Sequence, residues 1–481
     1  MPGALRSFER LGSLFLYTCG MYTTTLADEL RAIVGDSHVL TDPESIRANS
    51  TDATKRFHPA DVVVLPGTTE EVSRIVRLAN RERIPVVSRG GGVGYAGGAV
   101  PVSGGIVIAM RRMNRILEID SVDLVAVVEA GVITGELHRA AEARGLLFPP
   151  DPASLRLSSV GGNVAHNAGG PRAFKYGVTR QFLLGLEVVL PSGAVIDTGG
   201  RVAKSSVGYD LTDLMCGSEG TLGVITKIIF RLVPRPAAAR TVMALYDSVR
   251  ASADSANRIV EAGIVPSKLE FVDGQSVAAL RRYIEEEGIE TPVRLPESVR
   301  GMLLVEVDGD PSEVDRVLGR VVVVLGERAI DVIADVPGEA LWDLRRCLSP
   351  AVARIRPDKI NEDIVVPRSR LGDYLEGAEA LETESGLPIV CFGHAGDGNI
   401  HVNLMLDASD SGEVARAEAA RARIFGLAVE LGGTISGEHG IGIMKSDFLG
   451  LALSPAAIDA MRAVKRALDP NGIMNPGKIF P

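Results

Sequence analysis

The residues Arg89 to Gly98 read RGGGVGYAGG, and the chain just after them limits the fold more than the glycines themselves do. Gly92, Gly94 and Gly97 have the G-x-G-x-x-G spacing of a dinucleotide fingerprint, which in a Rossmann unit sits between a strand and the first turn of a helix. The strand is present upstream, in Ile84-Pro85-Val86-Val87. The helix is absent downstream: Gly98-Ala99-Val100-Pro101-Val102-Ser103-Gly104-Gly105 breaks helix repeatedly, and the next apolar run, Ile106 to Ala109, reads as another strand. The loop therefore joins strand to strand. Its backbone N–H groups can still cradle an anion, so the stretch is either a phosphate-binding loop outside any Rossmann fold or a plain surface loop. Other parts of the chain decide between the two.

Asp61 to Leu65 reads as a strand and Pro66-Gly67 breaks it. Thr68 and Glu71 have capping-box spacing, and Val72, Ile75, Val76 and Ala79 mark one face of a helix. This β-α-β unit delivers the glycine loop. Further strands are expected at 105–110, 124–129, 183–190 and 222–232, with a helix at 134–144. Residues 150–180, rich in Gly, Pro, Ser and Asn, read as one long functional loop. Pro234-Arg235-Pro236 looks like a boundary. Beyond it Val242 to Tyr246, a helix at 249–262 and Lys268 to Val272 form one β-α-β unit. Leu303 to Val307, a helix at 311–325 and Ala329 to Ile333 form a second, which together predict a ferredoxin-like domain. Helices at 410–431 and 454–468 are expected to cover it. The fold class expected is α+β, divided into a disordered leader at 1–22, a first domain at 23–235 and a second at 236–481.

Composition excludes several classes. The 61 acidic against 51 basic residues give a net charge of −10, which argues against a nucleic-acid binder and against an anionic membrane surface as the main partner. Arg6 and Arg10 precede a short apolar run, Leu11 to Tyr17, but no small-residue cleavage site comes after it, and no run approaches a membrane span. Cys19, Cys216, Cys347 and Cys391 form no C-x-x-C, so neither a disulfide framework nor a thiolate zinc site is expected, and the default is a cytoplasmic protein with reduced thiols.

Two more glycine-rich clusters accompany the first: Phe148-Pro149-Pro150-Asp151-Pro152 with Ser158 to Gly170, and Gly217-Ser218-Glu219-Gly220-Thr221-Leu222-Gly223. Three such segments in an otherwise regular β-α pattern point to a large ligand wrapped by loops. A different cluster runs from Gly393 to Asn403 and is joined by Ser436-Gly437-Glu438-His439-Gly440. Asp397-Gly398 suits a hairpin turn. His394 and Cys391 then lie on the strand entering it, while His401 and Asn403 share a face of the strand leaving it. His394 and His401 can converge, and Glu438 would complete a His2Glu set suited to Zn²⁺, Mn²⁺ or Fe²⁺. The plainer alternative is that the histidines only hydrogen-bond within a glycine-rich turn; their clustering with a carboxylate favours a site.

The segments RGGGVGYAGG, PPDP, SVGGNVAHNAGG, KYGVTR, GYDLTDLMCGSEGTLG and LDPNGIMNPGKIF resemble the vanillyl-alcohol-oxidase, or PCMH-type, FAD family. Within it they resemble the D-2-hydroxyacid dehydrogenase branch, which includes the flavin chain of glycolate oxidase, D-lactate dehydrogenase and D-2-hydroxyglutarate dehydrogenase. The resemblance runs from about Asp61 to the C-terminus. It implies a PCMH-type FAD-binding domain followed by a domain that caps the flavin and binds substrate. It places Arg89, Gly90, Gly91, Gly92, Val93, Gly94, Tyr95 and Gly97 at the pyrophosphate. Pro149, Pro150, Ser158, Gly161, Gly162, Asn163 and Gly170 would line the flavin and ribityl chain, with Tyr176 and Gly177 also among the cofactor residues. Glu219, Gly220 and Ile225 would lie on the adenosine side, and Asn475 would reach back from the tail. Val93 departs from the Thr or Ser usual there, and His166 occupies a variable position beside the cofactor.

By the same resemblance His394, His401 and Glu438 bind a divalent metal, with Zn first and Mn or Fe as alternatives, and His439 is the base. Arg345 would clamp the substrate carboxylate, with Arg346 its rival and Lys359 a weaker candidate, and Asn403 would also touch substrate. The chemistry implied is metal-assisted loss of the hydroxyl proton of a small D-2-hydroxy acid to His439, and hydride transfer from C2 to FAD. The rival readings are the non-redox alkyl-dihydroxyacetone-phosphate synthase branch and a flavin-binding subunit of a glycolate oxidase complex. No iron–sulfur or haem motif appears, so the electrons would pass to a quinone, a cytochrome, a partner protein or oxygen. A homodimer, or a place at the membrane periphery beside that acceptor, would fit.

Overall fold

In the computed structural model, which describes residues 25–480, the strand Val62–Val64 leads through Pro66-Gly67 into the helix Thr69–Glu82 and on to the strand Val86–Arg89. The leader expected at 1–22 lies outside the described residues. Thr68 caps the helix by accepting from the Glu71 N–H at 3.2 Å, while the Glu71 carboxylate accepts from the Gly67 N–H at 2.7 Å, one residue short of a true capping box. Val72, Ile75, Val76 and Ala79 are buried, as their spacing predicts. The later strand Ile106–Ala109 inserts between these two and runs parallel to both. The glycine loop thus leaves an outer strand of a four-stranded sheet and returns to its centre. The open side of Val86–Arg89 is filled by the tail: the Val86 N–H donates to Ile473 O at 2.8 Å and the Asn475 N–H to Val86 O at 2.7 Å.

A second, antiparallel sheet has the order Ile116–Asp120, Val125–Glu129, Val224–Arg231, Leu183–Val189, Val195–Gly199 and shares one hydrophobic core with the first. Its outer strands, Ile116–Asp120 and Val195–Gly199, were not expected. Both are edges with few buried side chains, so neither shows a clean alternation. The long loop expected at 150–180 is a correction: it contains the helices Val160–His166, Ala173–Tyr176 and Thr179–Phe182. They are one or two turns long, too short to show a helical period, and the first carries Gly161-Gly162 at its start.

The rest of the chain builds a seven-stranded antiparallel sheet in the order Asp331–Ile333, Ala238–Tyr246, Gly301–Gly309, Lys268–Asp273, Ile389–His394, Asn399–Leu406, Asp358–Val365. The first four have the ferredoxin-like order, with the helix Gly274–Glu287 in place of the central hairpin. The other three extend that sheet. Helices Val249–Glu261, Pro311–Gly326, Leu371–Ser385 and Ser411–Glu430 cover one face over Val242, Phe271, Leu303, Ile400 and Val402. The helix expected at 454–468 forms as Pro455–Leu468 but does not cover this sheet. Lys465 Nζ donates to Thr221 O at 2.7 Å and Met474 O at 2.8 Å, and Leu468 packs on the first core, so the chain has crossed back. The fold is α+β.

Candidate active site

Side chains alternate along the strand Asn399–Leu406. Ile400, Val402 and Leu404 enter the helix-covered core, so His401 and Asn403 face the other way. Register brings partners to them: His401 pairs with Phe392 on one side and Asp363 on the other, Asn403 pairs with Asn361, and His394 pairs with Glu270. A row of polar groups therefore crosses this face of the sheet. The segment Ser436 to Gly440 lies over it and adds Glu438 and His439.

Ligand atoms of His394, His401 and Glu438 all lie within 4.8 Å of one another, with His394 Nε2 3.4 Å from Glu438 Oε1. The His394 and His401 rings meet edge to face at 5.3 Å, and His439 stacks on His401 at 5.6 Å. Tyr95, from the glycine loop, has its ring 5.2 Å from that of His439. The two ends of the chain's glycine and histidine motifs thus meet.

Burial opposes charge on His394, but Glu270 on one ring nitrogen and Glu438 near the other hold its pKa well above the ordinary value. Burial would raise the carboxyl of Glu270, yet the His394 and Arg345 charges bring it down to about 2. Glu438 is lowered against burial by His394 as well. Burial and the neighbouring His394 charge push His401 down to about 4, so its imidazole is neutral with a free lone pair at neutral pH. A proton on His394 puts positive charge between Glu270, which also pairs with Arg345, and the partly buried Glu438. His394, His401 and Glu438 offer the donors by which a divalent ion could take that place, with Glu270 still holding His394 Nδ1–H.

Arg345 Nη2 donates to Glu270 Oε2 at 2.9 Å, its guanidinium lies 5.0 Å from the Phe392 ring, and its buried Nε has no partner. Arg346 points away into exposed ion pairs with Glu339 and Asp343. Lys359 is on the same strand as Asp363, four residues away. Asn403 is buried and committed within the fold: its Oδ1 accepts from Asn361 at 2.7 Å and its Nδ2 donates to Val390 O at 3.3 Å. Sequence reasoning passed over Glu270 and Asp363 as site residues. The signal available was a pair of carboxylates beside apolar residues in each of two short segments, Glu270 and Asp273 in KLEFVD and Glu362 and Asp363 in EDIVV.

The glycine loop lies against 157–162: a Cβ on Gly90 would sit 2.1 Å from Ser159 Oγ, and one on Gly91 2.2 Å from Leu157 O. Ser158 Oγ and Asn163 Nδ2 both bond Thr134 Oγ1, at 2.9 and 2.8 Å, and Gly161 backs onto Ala130. Pro149 is buried, and Pro150 O bonds His138 Nε2 at 2.8 Å. Gly170 sits beside Asp151. Arg89 does not point outward. Its guanidinium donates to Thr51 O at 2.5 Å and Ala48 O at 3.2 Å beneath Gly92, so it supports the loop from below. Val93 and Gly94 are partly exposed between it and Tyr95.

Tyr176 donates to Asp308 Oδ2 at 2.7 Å, pinning its helix to the seven-stranded sheet, and Gly177 ends that helix. Both oxygens of Glu219 accept from the N–H groups of Ile441 and Gly442, at 2.7 Å each, so this carboxylate holds the segment after His439. Gly220 packs on Ser88, while Ile225 lies in the second sheet opposite Val188. Asn475 reaches back from the tail: its Nδ2 donates to Gly98 O at 2.9 Å and Glu219 O at 2.7 Å. Asn475 Oδ1, His166 Nδ1 and His439 Nδ1 are buried without hydrogen-bond partners. The close-set glycines, with the partnerless Asn475 Oδ1 and His166 Nδ1 near them, suit a polar, extended cofactor such as FAD.

Residues 60–199 match the family described as FAD binding domain, and residues 235–479 match FAD linked oxidases, C-terminal domain. The chain is 41% identical over 465 residues to the glycolate oxidase subunit GlcD of Bacillus subtilis, covering 96% of this chain and 97% of that one. It is 37% identical to the D-lactate dehydrogenase of Anaerostipes hadrus, covering 87% and 89%. A solved structure of p-cresol methylhydroxylase superposes with a TM-score of 0.79 at 19% identity, covering 95% of this chain and 96% of that chain, which shows the shared fold. Among the described residues no helix is long and apolar enough to cross a membrane. Two family matches in chain order, and relatives aligned over nearly their whole length, establish that the chain belongs to the FAD-linked oxidases and is a flavin-dependent oxidoreductase.

Proposed function

We propose that the protein oxidises a small D-2-hydroxy acid, of the D-lactate or glycolate type, to the 2-oxo acid. The observation that carries this is the meeting of His394, His401 and Glu438 with His439 and the Arg345–Glu270 pair beside the glycine loop. FAD supplies the hydride acceptor, and a divalent ion on the His2Glu set, zinc before manganese or iron, supplies a Lewis acid that makes the substrate hydroxyl more acidic. The remaining work belongs to the chain. His439 Nδ1 is buried, 3.3 Å from Asp363 Oδ1 but not hydrogen-bonded to it, and Nε2 is the atom assigned to take the hydroxyl proton. Arg345, fixed by Glu270 and Phe392, is the guanidinium assigned to the substrate carboxylate.

The names of the relatives, glycolate oxidase subunit and D-lactate dehydrogenase, support this reading, and the word subunit supports a partner chain that receives the electrons. A quinone, a cytochrome or oxygen are the other acceptors of that class. Alkyldihydroxyacetonephosphate synthase shares the fold at 20% identity, which carries nothing about its non-redox chemistry.

The test is an anaerobic visible spectrum of the purified protein before and after D-lactate, glycolate or D-2-hydroxyglutarate. Bleaching of bound flavin by one of them is expected. A yellow protein bleached by none would overturn the reading. His439→Ala should retain FAD and lose flavin reduction by at least about 100-fold, the lower range for general-base removal; stopped-flow absorbance reads it.

A further inference from the structure

The segment that carries Glu438 and His439 belongs to no helix or strand, yet every backbone N–H from Gly437 to Gly442 donates to a side chain. The N–H groups of Gly437, Glu438 and His439 all donate to Asp363 Oδ2, at 2.7, 2.5 and 3.2 Å. The Gly440 N–H donates to Ser436 Oγ at 3.1 Å, and those of Ile441 and Gly442 donate to Glu219. Successive N–H groups converging on one point make an anion nest, here filled by a carboxylate of the same chain. Asp363 is completely buried. Its other oxygen accepts from Ser436 Oγ at 3.2 Å and pairs with Lys445 Nζ at 2.5 Å. Lys445, also buried, spends its other donors on Asp363 O and Ile435 O, both at 2.9 Å. Asp363 is in register with His401 on the neighbouring strand.

We propose that Asp363 is a positioning residue of the reaction: one buried carboxylate, held by Lys445, sets Glu438 and His439 against His401 and His394. The proposal rests on the functional reading above for the roles of Glu438 and His439. Its structural content is independent of that reading. Without the carboxylate, three N–H groups and an ammonium face one another in a dry site, and the segment has no secondary structure to fall back on.

The experiment uses the full-length FAD-loaded protein, with Asp363→Asn as the main variant. The amide keeps one acceptor oxygen but removes the charge and turns an NH2 towards donors. Hydrogen exchange of the peptide spanning 435–444, read by mass spectrometry, should be faster by about tenfold or more while other core peptides are unchanged. Zinc affinity should fall about 10- to 100-fold, the range for lost support of a ligand. With zinc in excess, kcat should fall about 100-fold, as for a reacting group moved by about 1 Å, while KM moves by less than about threefold. A merely structural residue would instead lose FAD, or lose kcat only in proportion to the unfolded fraction. Wild-type exchange at 435–444, or faster exchange with wild-type kcat, would overturn the proposal. Ser436→Ala removes one strut and serves if Asp363→Asn does not fold. It should speed exchange of the same peptide and lower kcat about fivefold, a loss of one modest hydrogen bond, and wild-type values for both would overturn the proposal. If the unmodified protein reduces flavin with no 2-hydroxy acid, the functional reading fails, and the exchange and zinc measurements still decide the role of Asp363.

Discussion

Glu270 touches two groups of opposite duty. It bonds the ring of His394 on one side and Arg345 on the other, and it is fully buried. The residue proposed to hold a metal and the residue proposed to hold a carboxylate are therefore held by one anion. Removing its charge leaves two cations without a shared counter-ion in a low-dielectric site, a change that weakens both functions together. Glu270→Gln should lower zinc affinity about 10- to 100-fold, with KM for the hydroxy acid rising in the same variant; competition against a chromophoric chelator and steady-state kinetics measure the two. A loss of metal with KM unchanged would separate Arg345 from the site.

The hairpin Ile389–His394 and Asn399–Leu406 shows how far an element can be read in advance. Asp397-Gly398 announces its turn, and alternation then fixes His394 and His401 on one face, so these were legible. Glu270 and Asp363 reach the same face from strands that are neighbours only through the register of a seven-stranded sheet, which no local pattern encodes. The same limit explains Arg89, whose guanidinium turns inward to carbonyls contributed by residues 48 and 51. It explains Glu219 too, whose partners lie more than two hundred residues away. Gly442 is an element-level constraint of another kind. With φ +49 it places its Cα so that a Cβ would lie 1.9 Å from Ala96 O. Gly442→Ala should cost more than the roughly 1–2 kcal/mol of a left-handed residue alone, read as a lower urea midpoint, with less FAD retained. At the start of the helix Gly274–Glu287, Asp273 accepts from the Ser276 and Cys391 N–H groups at 2.7 and 2.6 Å, yet burial, with Glu382 nearby, pushes its carboxyl up to about 7. The folded chain then holds a proton that the unfolded chain releases near pH 4. Stability contributed by this group is full below that point, declines as pH rises to about 7, and is constant above. The stability of the wild type relative to Asp273→Asn should therefore fall between pH 5 and 7.5 in urea titrations, and a flat difference would show Asp273 ionised throughout.

Across the whole molecule the two kinds of machinery sit on different sheets. The glycine loop, the 157–170 segment and Asn475 belong with the first core, and the His2Glu set with the seven-stranded sheet and its overlying segment. Chelation should accordingly abolish 2-hydroxy acid turnover while the flavin stays bound, checked by metal analysis beside the visible spectrum; a chelated, metal-free protein that still turns over at full rate would remove the metal from the mechanism. The fold class and the ferredoxin-like core were legible because each rests on local period and order. The return of Pro455–Leu468 to the first core was not, because an amphipathic helix carries no address for the surface it covers.

That return has a consequence for how the protein comes into being. Residues 473–475 close the outer strand Val86–Arg89 and tie the glycine loop to Glu219. A ribosome makes that strand early and these residues some four hundred positions later. Until they emerge, the strand Val86–Arg89 lacks its outer partner and the loop lacks its Asn475 bond at Gly98. Cofactor retention should therefore tighten only at the end of translation: a nascent chain stalled before residue 473 should release FAD that the finished protein keeps.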